Sequence, residues 1–186
     1  YINPDLNLIV IDSTSRGKAE DVLALLRKAL GTLPITSFMT VRSPDETMTE
    51  WLLSNLTPGL NPFKDPTFTL GNDAELHSLG DDSAAVKVTN QFLASKEVKA
   101  HLDADKYVVK VGLEHDCEKS FVLNDDLSIK KLKFSDVILE QNGDLDCDDH
   151  LARLDADFIL MAGEINRLIV DLLFEFGLST DEYLEG

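Results

Sequence analysis

The chain has 186 residues, of which 44% are hydrophobic and 27% charged, and its formal net charge is −17. This length and composition are typical of a soluble protein with one domain or two small ones. No apolar run approaches a membrane span, no signal peptide opens the chain, and two cysteines exclude a disulfide framework, so we expect free thiols in a reducing compartment.

The first part of the sequence predicts a strand, a helix and a second strand. The apolar run Leu6–Ile11 is typical of a buried strand. A helix then extends to about Leu30 and has Gly31 as its C-cap residue. The spacing i, i+3, i+4, i+7 predicts that the buried face of this helix consists of Val22, Leu25, Leu26 and Ala29. Ile35–Val41 predicts the second strand, so we expect a small βαβ-like portion.

A helix and a proline-rich stretch follow. Ser43 at the N-cap, Pro44 at the first helical position and Glu46 at the third predict a helix start. The prolines in residues 56–72 predict a loop or an insertion. We therefore expect a βαβ-like portion with its following helix in 1–55, the proline-rich loop in 56–72, and a mostly antiparallel sheet region with a long C-terminal helix in 73–186.

The third part accounts for most of the predicted sheet. Strands are predicted at Thr67–Leu70, Ala74–Leu79, Ala84–Thr89 and Tyr107–Leu113, and a hairpin from Ser120 to Phe134 that turns at Asn124–Asp126. Short helices are predicted after Ser95 and from Asp136 to Gln141. The long helix runs from about Asp149 to Phe176, and its apolar arc is so wide that we expect burial from two sides, within one subunit or between two. The predicted fold class is α+β.

Patterns typical of enzymes are absent from the sequence. There is no nucleophile elbow or P-loop, and the four histidines do not have metal-site spacing. The acidic run Asp144–His150 departs from an EF-hand loop at its glycine and glutamate positions, so we interpret it as the start of the long helix. His115, Asp116 and Cys117 are neighbours whose side chains alternate in direction. We predict no catalytic residue, no metal site and no cofactor.

The negative charge is distributed unevenly. Residues 134–186 contain 14 acidic and 2 basic residues, whereas Lys106 to Lys133 contains 6 lysines and 5 acids. Strand alternation predicts Lys131 and Lys133 on one face and Lys130 on the other, with Lys106 matching Lys110 in parity and Lys87 matching Gln91. Lysines presented together would neutralise phosphates without reading bases, and a merely solvated sheet face is the alternative interpretation.

Several long blocks of this sequence resemble the RdgC family of bacterial recombination-associated proteins. The blocks are Asp12–Pro34, Thr49–Trp51, Ser128–Phe134 and Asp155–Glu164. Residues 56–66 look like an insertion relative to the family pattern. Family members extend further at the N-terminus, and the chain begins with Tyr1, so we interpret it as a fragment or a processed product.

The resemblance implies a non-enzymatic homodimer that forms a ring around double-stranded DNA, binds it without sequence selection and limits RecA access. It further implies a cytoplasmic, nucleoid-associated location. The implied pore-side candidates are Lys87, Gln91 and Lys106, and further DNA-binding candidates are Lys110, Lys130, Lys131 and Lys133. Thr89 and Asn90 stand where the family has further lysines, which lowers the local positive charge.

Two other functions stay open at this point. The first is a divalent-metal nuclease that uses carboxylates of the C-terminal third. The second is a protein-interaction module whose acidic surface engages a basic partner. The interaction module is favoured if Lys87, Lys106 and Lys131 lie on different faces of the fold.

Overall fold

The computed structural model describes residues 1–13, 15–36, 40–54, 67–141 and 150–177, and they form the predicted α+β fold. The strands are β1 (Ile2–Asn3), β2 (Leu8–Ile9), β3 (Phe68–Ser78), β4 (Asp81–Val88), β5 (Lys106–His115), β6 (Lys119–Asn124) and β7 (Ile129–Phe134). The helices are α1 (Arg16–Leu30), α2 (Pro44–Ser54), α3 (Lys96–Leu102), α4 (Asp136–Glu140) and α5 (His150–Glu175). The three-part division of the chain stays a prediction, and most of the proline-rich loop lies outside the described residues.

A five-stranded sheet with strand order β4-β3-β5-β6-β7 is the centre of the fold, and all its neighbouring strands are antiparallel. Successive side chains alternate between its two faces. One face is buried, with Leu76 opposite Val108 and Leu123 opposite Val111. Helices α2 and α5 pack on it, so we call it the helix face. We call the opposite side of the sheet the outer face.

Two irregularities in strand pairing change which residues share a face. Leu76 pairs with Val108 while its neighbour Glu75 pairs with Lys110, which leaves Val109 as an extra residue in β5. A second shift lies between Ser120 and Val122 in the pairing of β6 with β7. Such bulges shift the alternation of side chains along the bulged strand. Face assignments from residue parity therefore fail beyond each bulge.

Two glycines allow β3 and β5 to approach closely beside the pairing gap in β3. A Cβ atom added at Gly71 would lie 3.0 Å from the carbonyl carbon of Gly112. We expect Gly71→Ala to lower the free energy of unfolding by about 1–3 kcal/mol, because the backbone of β5 must move. Urea denaturation measures this. Gly163→Ala is the matched control, since nothing lies near its added Cβ and alanine favours the helix. Equal midpoints for wild type and Gly71→Ala would contradict the prediction.

The N-terminal part differs from the predicted βαβ-like portion. The expected strand at Leu6–Ile11 is reduced to β2, which pairs antiparallel with β1, so that Ile2 faces Ile9. The four described residues of 35–41, namely 35, 36, 40 and 41, are not in a strand, and 37–39 lie outside the described residues. The hairpin instead packs on α5, where the Tyr1 hydroxyl donates to Asn166 Oδ1 at 2.8 Å. The strand that pairs with β2 is β1, which precedes it in the chain, and the apolar pattern of residues 6–11 did not indicate this partner.

Helix α1 has the predicted bounds but not the predicted buried face. Val22, Leu25 and Ala29 are exposed, whereas Leu26 is half-buried together with Leu23. The prediction of a buried face through Val22, Leu25 and Ala29 was therefore wrong for the chain as described. Apolar spacing identifies a face that favours burial, but it does not identify what covers that face.

Helix α5 is the predicted long helix, and it is followed by Gly177, whose φ is 80°. Its last turns are buried in the core through Leu168 and Leu172, and Phe176 just beyond its end lies 5.6 Å from Trp51, ring centre to ring centre. Its first turns instead expose large apolar side chains, which are Leu151, Leu154, Phe158, Ile159 and Met161. The expected burial from two sides is thus not met in the first half of α5. Among the described residues, no helix has the length and apolarity needed to cross a membrane.

Candidate functional site

Two of the predicted lysines flank one glutamate on the outer face of the sheet. Lys87 of β4 and Lys110 of β5 pair in register with Glu75, which lies on β3 between them. Their Nζ atoms are 3.9 Å and 2.6 Å from Glu75 Oε2. The side chain of Lys87 is 71% exposed and that of Lys110 39%, but that of Glu75 only 16%. Lys87 and Lys110 therefore lie on the same face of the sheet, one on each side of Glu75.

The third and fourth lysines on this face are Lys130 and Lys133. They pair with Val122 and Ser120 of β6, which alternate with the buried Phe121 and therefore belong to the outer face. The prediction that Lys130 lies on the opposite face from Lys133 was wrong, because the bulge places two residues of β7 between them. Lys131 lies in that bulge with a φ of 54°, and it is exposed.

Lys106 and Gln91 do not join these four lysines. Lys106, the first residue of β5, pairs with Ser78, and both belong to the helix face by alternation from Val108 and Leu76. The Nζ of Lys106 donates to Ser78 Oγ at 2.5 Å. The bulge at Val109 breaks the parity that we predicted with Lys110. Gln91 lies beyond the end of β4 and is exposed, with its backbone N–H donating to Asn72 O at 3.0 Å. The three pore-side candidates implied by the resemblance therefore do not share one face.

Glu75 is the electrostatic centre of the outer face. Besides the two lysines on Oε2, its Oε1 lies 3.2 Å from His77 Nε2. The hydrogen bond from Lys110 holds the pKa of Glu75 below its usual value, against the desolvation that would raise it. The carboxylate is therefore ionised at neutral pH. We call Glu75, His77, Lys87 and Lys110 the Glu75 cluster.

A second polar group joins β5 to α5 on the helix face. His115 at the end of β5 is fully buried, and its Nε2 lies 2.8 Å from Asp171 Oδ2 of α5 and 3.7 Å from Asp116 Oδ2. Within the described ranges, these three residues are the group that has metal-ligand spacing. Arg167 of α5 forms an ion pair with Asp116. Sequence reasoning considered His115 and Asp116 only with Cys117, an exposed free thiol, because Asp171 is distant in the chain.

The surroundings of His115 fit a hydrogen bond better than a metal ion. A metal bound to Nε2 would leave the proton on Nδ1, and metal-binding histidines normally donate that proton to an acceptor. Nδ1 is buried, and none of the residues that the structure describes forms a hydrogen bond with it. We therefore assign the proton to Nε2, which donates it to Asp171, so that only an acceptor nitrogen is left unpaired. Arg167 already neutralises Asp116. The group fastens α5 to the sheet.

Removing the acceptor from this group should weaken the fold. We expect Asp171→Ala to lower the free energy of unfolding by about 1 kcal/mol, because the buried Nε2–H of His115 loses its partner. The loss is at the low end since the Asp171 side chain is 31% exposed, so water replaces part of the bond. Asp171→Asn is the control that keeps an acceptor oxygen, and chemical denaturation compares the two. If asparagine destabilises as much as alanine, the hydrogen bond is not the cause.

A buried ion pair is a further contact between the sheet and α5. The side chain of Lys119 on β6 is 0% exposed, and its Nζ lies 2.6 Å from Glu164 Oε2 of α5. Glu118 lies farther away, with its Oε2 at 3.9 Å from the same Nζ. Lysine is rarely buried unless it is paired, so Glu164 is the partner that compensates the buried charge of Lys119. The sequence contained no signal for it, because a lysine beside a glutamate is ordinary on a surface.

Comparison with known proteins identifies similar sequences along almost the whole chain. A family model described as "Putative exonuclease, RdgC" matches residues 1–179. A recombination-associated protein RdgC from Colwellia psychrerythraea is 58% identical over 185 residues, which is 100% of this chain and 58% of the relative. Proteins of the same name from Tolumonas auensis and Aeromonas hydrophila are 45% and 44% identical over 177 residues, covering 95% of this chain and 56% of each relative. The chain thus spans a little over half the length of the relatives it matches.

Proposed function

Because the chain belongs to the RdgC family, we propose that it binds double-stranded DNA in recombination, through the outer face of its five-stranded sheet. The observation that carries the proposal is that four lysines lie on that one face. They are Lys87, Lys110, Lys130 and Lys133. Lysine ammonium groups contact phosphates as point charges and gain affinity by releasing counterions.

The spacing of the strands suits a duplex. β4 and β7 are the two edge strands, so four strand spacings separate them, which is roughly 19 Å. That distance exceeds the ~12 Å width of the major groove of B-DNA. Lys87 at one edge and the pair Lys130 and Lys133 at the other can therefore reach phosphates on both sides of a groove.

The residue types on the sheet favour binding without sequence selection. Arginine is the commonest reader of guanine, and the strands β3 to β7 contain none. Contacts of lysine with phosphates position a protein on DNA but carry no sequence information. We therefore expect two duplexes of unrelated sequence to bind equally well.

Titration of DNA against the full-length protein tests this proposal. Two unrelated duplexes are titrated at several salt concentrations between 50 and 200 mM. We expect equal affinities for the two duplexes and a logarithm of the binding constant that falls linearly with the logarithm of salt. Binding that is independent of salt, or no binding at all, would overturn the phosphate-contact mechanism.

We further propose a homodimer that closes a ring around the duplex, limits RecA access and acts at the nucleoid in the cytoplasm. The exposed apolar turns of α5, from Leu151 to Met161, support an additional contact beyond the described chain. Analytical ultracentrifugation of the full-length protein tests the dimer, and RecA loading on DNA with and without the protein tests the antagonism. A monomer at micromolar concentration, or unchanged RecA loading, would contradict the respective part.

We also propose that the protein is not a nuclease. The metal-type group that the structure describes, His115 with Asp116 and Asp171, fits a structural hydrogen bond, and the acidic run 144–149 lies outside the described residues. Pure protein incubated with end-labelled duplex and Mg²⁺ or Mn²⁺ should leave the DNA intact. Cleavage that a chelator abolishes would instead establish the nuclease.

The acidic protein-interaction module is the second candidate. One observation favours it, since Lys87, Lys106 and Lys131 lie in three different environments: the outer face, the helix face and a bulge. A module of this kind would bind a basic protein in a salt-sensitive manner and would ignore duplex DNA. The same titration with a basic polypeptide in place of DNA distinguishes the two functions.

A further inference from the structure

The Glu75 cluster contains a feature that the proposed function does not explain. Two of the four lysines on the outer face, Lys87 and Lys110, are already opposite a carboxylate that belongs to the protein. Glu75 lies on β3, between the strands of both lysines, and it is the least exposed of the three side chains. A surface that only attracts phosphates would not need an anion at this position.

We propose that Glu75 is a built-in counter-charge that lowers the affinity of the outer face for DNA, by occupying Lys87 and Lys110 in place of a phosphate. This inference rests on the proposed function. A carboxylate oxygen and a phosphate oxygen accept the same charge-assisted hydrogen bonds from an ammonium group. A phosphate must therefore displace Glu75 from Lys110, or bind with that lysine only partly available.

The local charge supports this role. The carboxylates near the four lysines of the outer face include Glu75, Asp126 in the turn before β7, which interacts electrostatically with Lys130, and Glu114, which pairs with Ser120 of β6 and is exposed. The hydrogen bond of 2.6 Å to Lys110 and the partial burial of Glu75 keep its carboxylate in place, whereas Glu114 has no ion pair in the described part of the chain. Glu75 thus neutralises particular lysines, while Glu114 contributes only to the net charge of the face.

The consequence is that the outer face binds duplex DNA with a lower affinity than its four lysines would otherwise give. A protein that encounters duplex without sequence selection has to release it again, and its release rate depends on how many phosphates it neutralises at once. Glu75 lowers that number without removing the lysines that attract the DNA. It is a positioning residue, since it acts through Lys87 and Lys110.

Glu75→Gln is the variant that tests the proposal, and Glu114→Gln is its matched control. Both remove one negative charge from the same face at nearly constant side-chain volume. We expect Glu75→Gln to bind duplex more tightly and to steepen the salt dependence by about one to two units, at ~0.9 per added phosphate contact. Glu114→Gln should change the slope by less than one unit. A purely structural role of Glu75 would change the thermal midpoint but not the salt slope.

A second comparison excludes an effect of net charge alone. In a protein that already carries Lys87→Gln and Lys110→Gln, the additional change Glu75→Gln should raise duplex affinity no more than Glu114→Gln does, because the lysines that it would free are gone and only the repulsion by one carboxylate is removed. Equal slopes for wild type and Glu75→Gln, or equal gains from Glu75→Gln and Glu114→Gln, would overturn the inference while leaving the proposed function intact. If the wild type does not bind duplex, the proposed function fails. Binding by the Glu75→Gln variant alone would still support the counter-charge role of Glu75. If neither protein binds duplex, both the proposed function and the counter-charge role are overturned.

Discussion

Replacing the four outer-face lysines with glutamine should make duplex binding weaker and less dependent on salt concentration. The four substitutions are Lys87→Gln, Lys110→Gln, Lys130→Gln and Lys133→Gln. Each neutralised phosphate contributes ~0.9 to the slope of log binding constant against log salt. Lys130 and Lys133 contribute fully, whereas Glu75 partly occupies Lys87 and Lys110, so we expect a loss of about 2–3 units. Because affinity falls with the same charge, binding at 50 mM salt should drop by roughly two to three orders of magnitude. Filter binding or fluorescence anisotropy with the full-length protein measures both quantities.

A variant with the same charge change elsewhere is the control for this result. Its four substitutions by glutamine are at exposed basic residues of α1 and α3, namely Lys18, Arg27, Lys28 and Lys96. It lowers the net charge as much as the outer-face variant does. If both variants lose affinity equally, DNA responds to total charge, and the outer face is not the binding surface.

The fold class and many of the element boundaries were predictable because they depend on neighbours in the chain. Ser95 was predicted to cap a helix, and its Oγ accepts from Val98 N–H at 3.3 Å. The hairpin of β6 and β7 is closed by Asn124, as its turn residues indicated. Such features are decided within a few residues by backbone preferences and local hydrogen bonds. The two predicted strands Thr67–Leu70 and Ala74–Leu79 form the single strand β3. The segment between them remains part of β3, although the pairing with β5 shifts register there.

The candidate site was less predictable because strand register decides it. Residue parity separated Lys130 from Lys133, although they share a face. It also grouped Lys106 with Lys110, although they do not share a face. Each pair spans a bulge. A bulge inserts one residue and leaves no clear mark in a lysine-rich or valine-rich strand. Partners distant in the chain were likewise invisible. Glu75 meets Lys110 only because β3 and β5 pair across the sequence of β4 and α3.

The buried ion pair between Lys119 and Glu164 leads to the largest expected effect on stability. Glu164→Ala removes the carboxylate 2.6 Å from Lys119 Nζ and leaves a buried ammonium group without this partner. Breaking a buried pair in this way costs about 3–5 kcal/mol of unfolding free energy. For a domain of this size, that corresponds to a fall of roughly 10 °C in the thermal midpoint. Chemical denaturation and calorimetry measure the two quantities.

The double variant Lys119→Met with Glu164→Leu separates the charge from the packing. If the loss in Glu164→Ala arises from the unpaired ammonium group, replacing both partners with apolar residues of similar volume should restore most of the stability, because neither charge then has to be desolvated. Glu118 lies 3.9 Å from the same Nζ, but it cannot compensate at that distance without moving. A Glu164→Ala protein as stable as the wild type would show that Lys119 reaches water, and that the ion pair with Glu164 is not needed to hold α5 on the sheet.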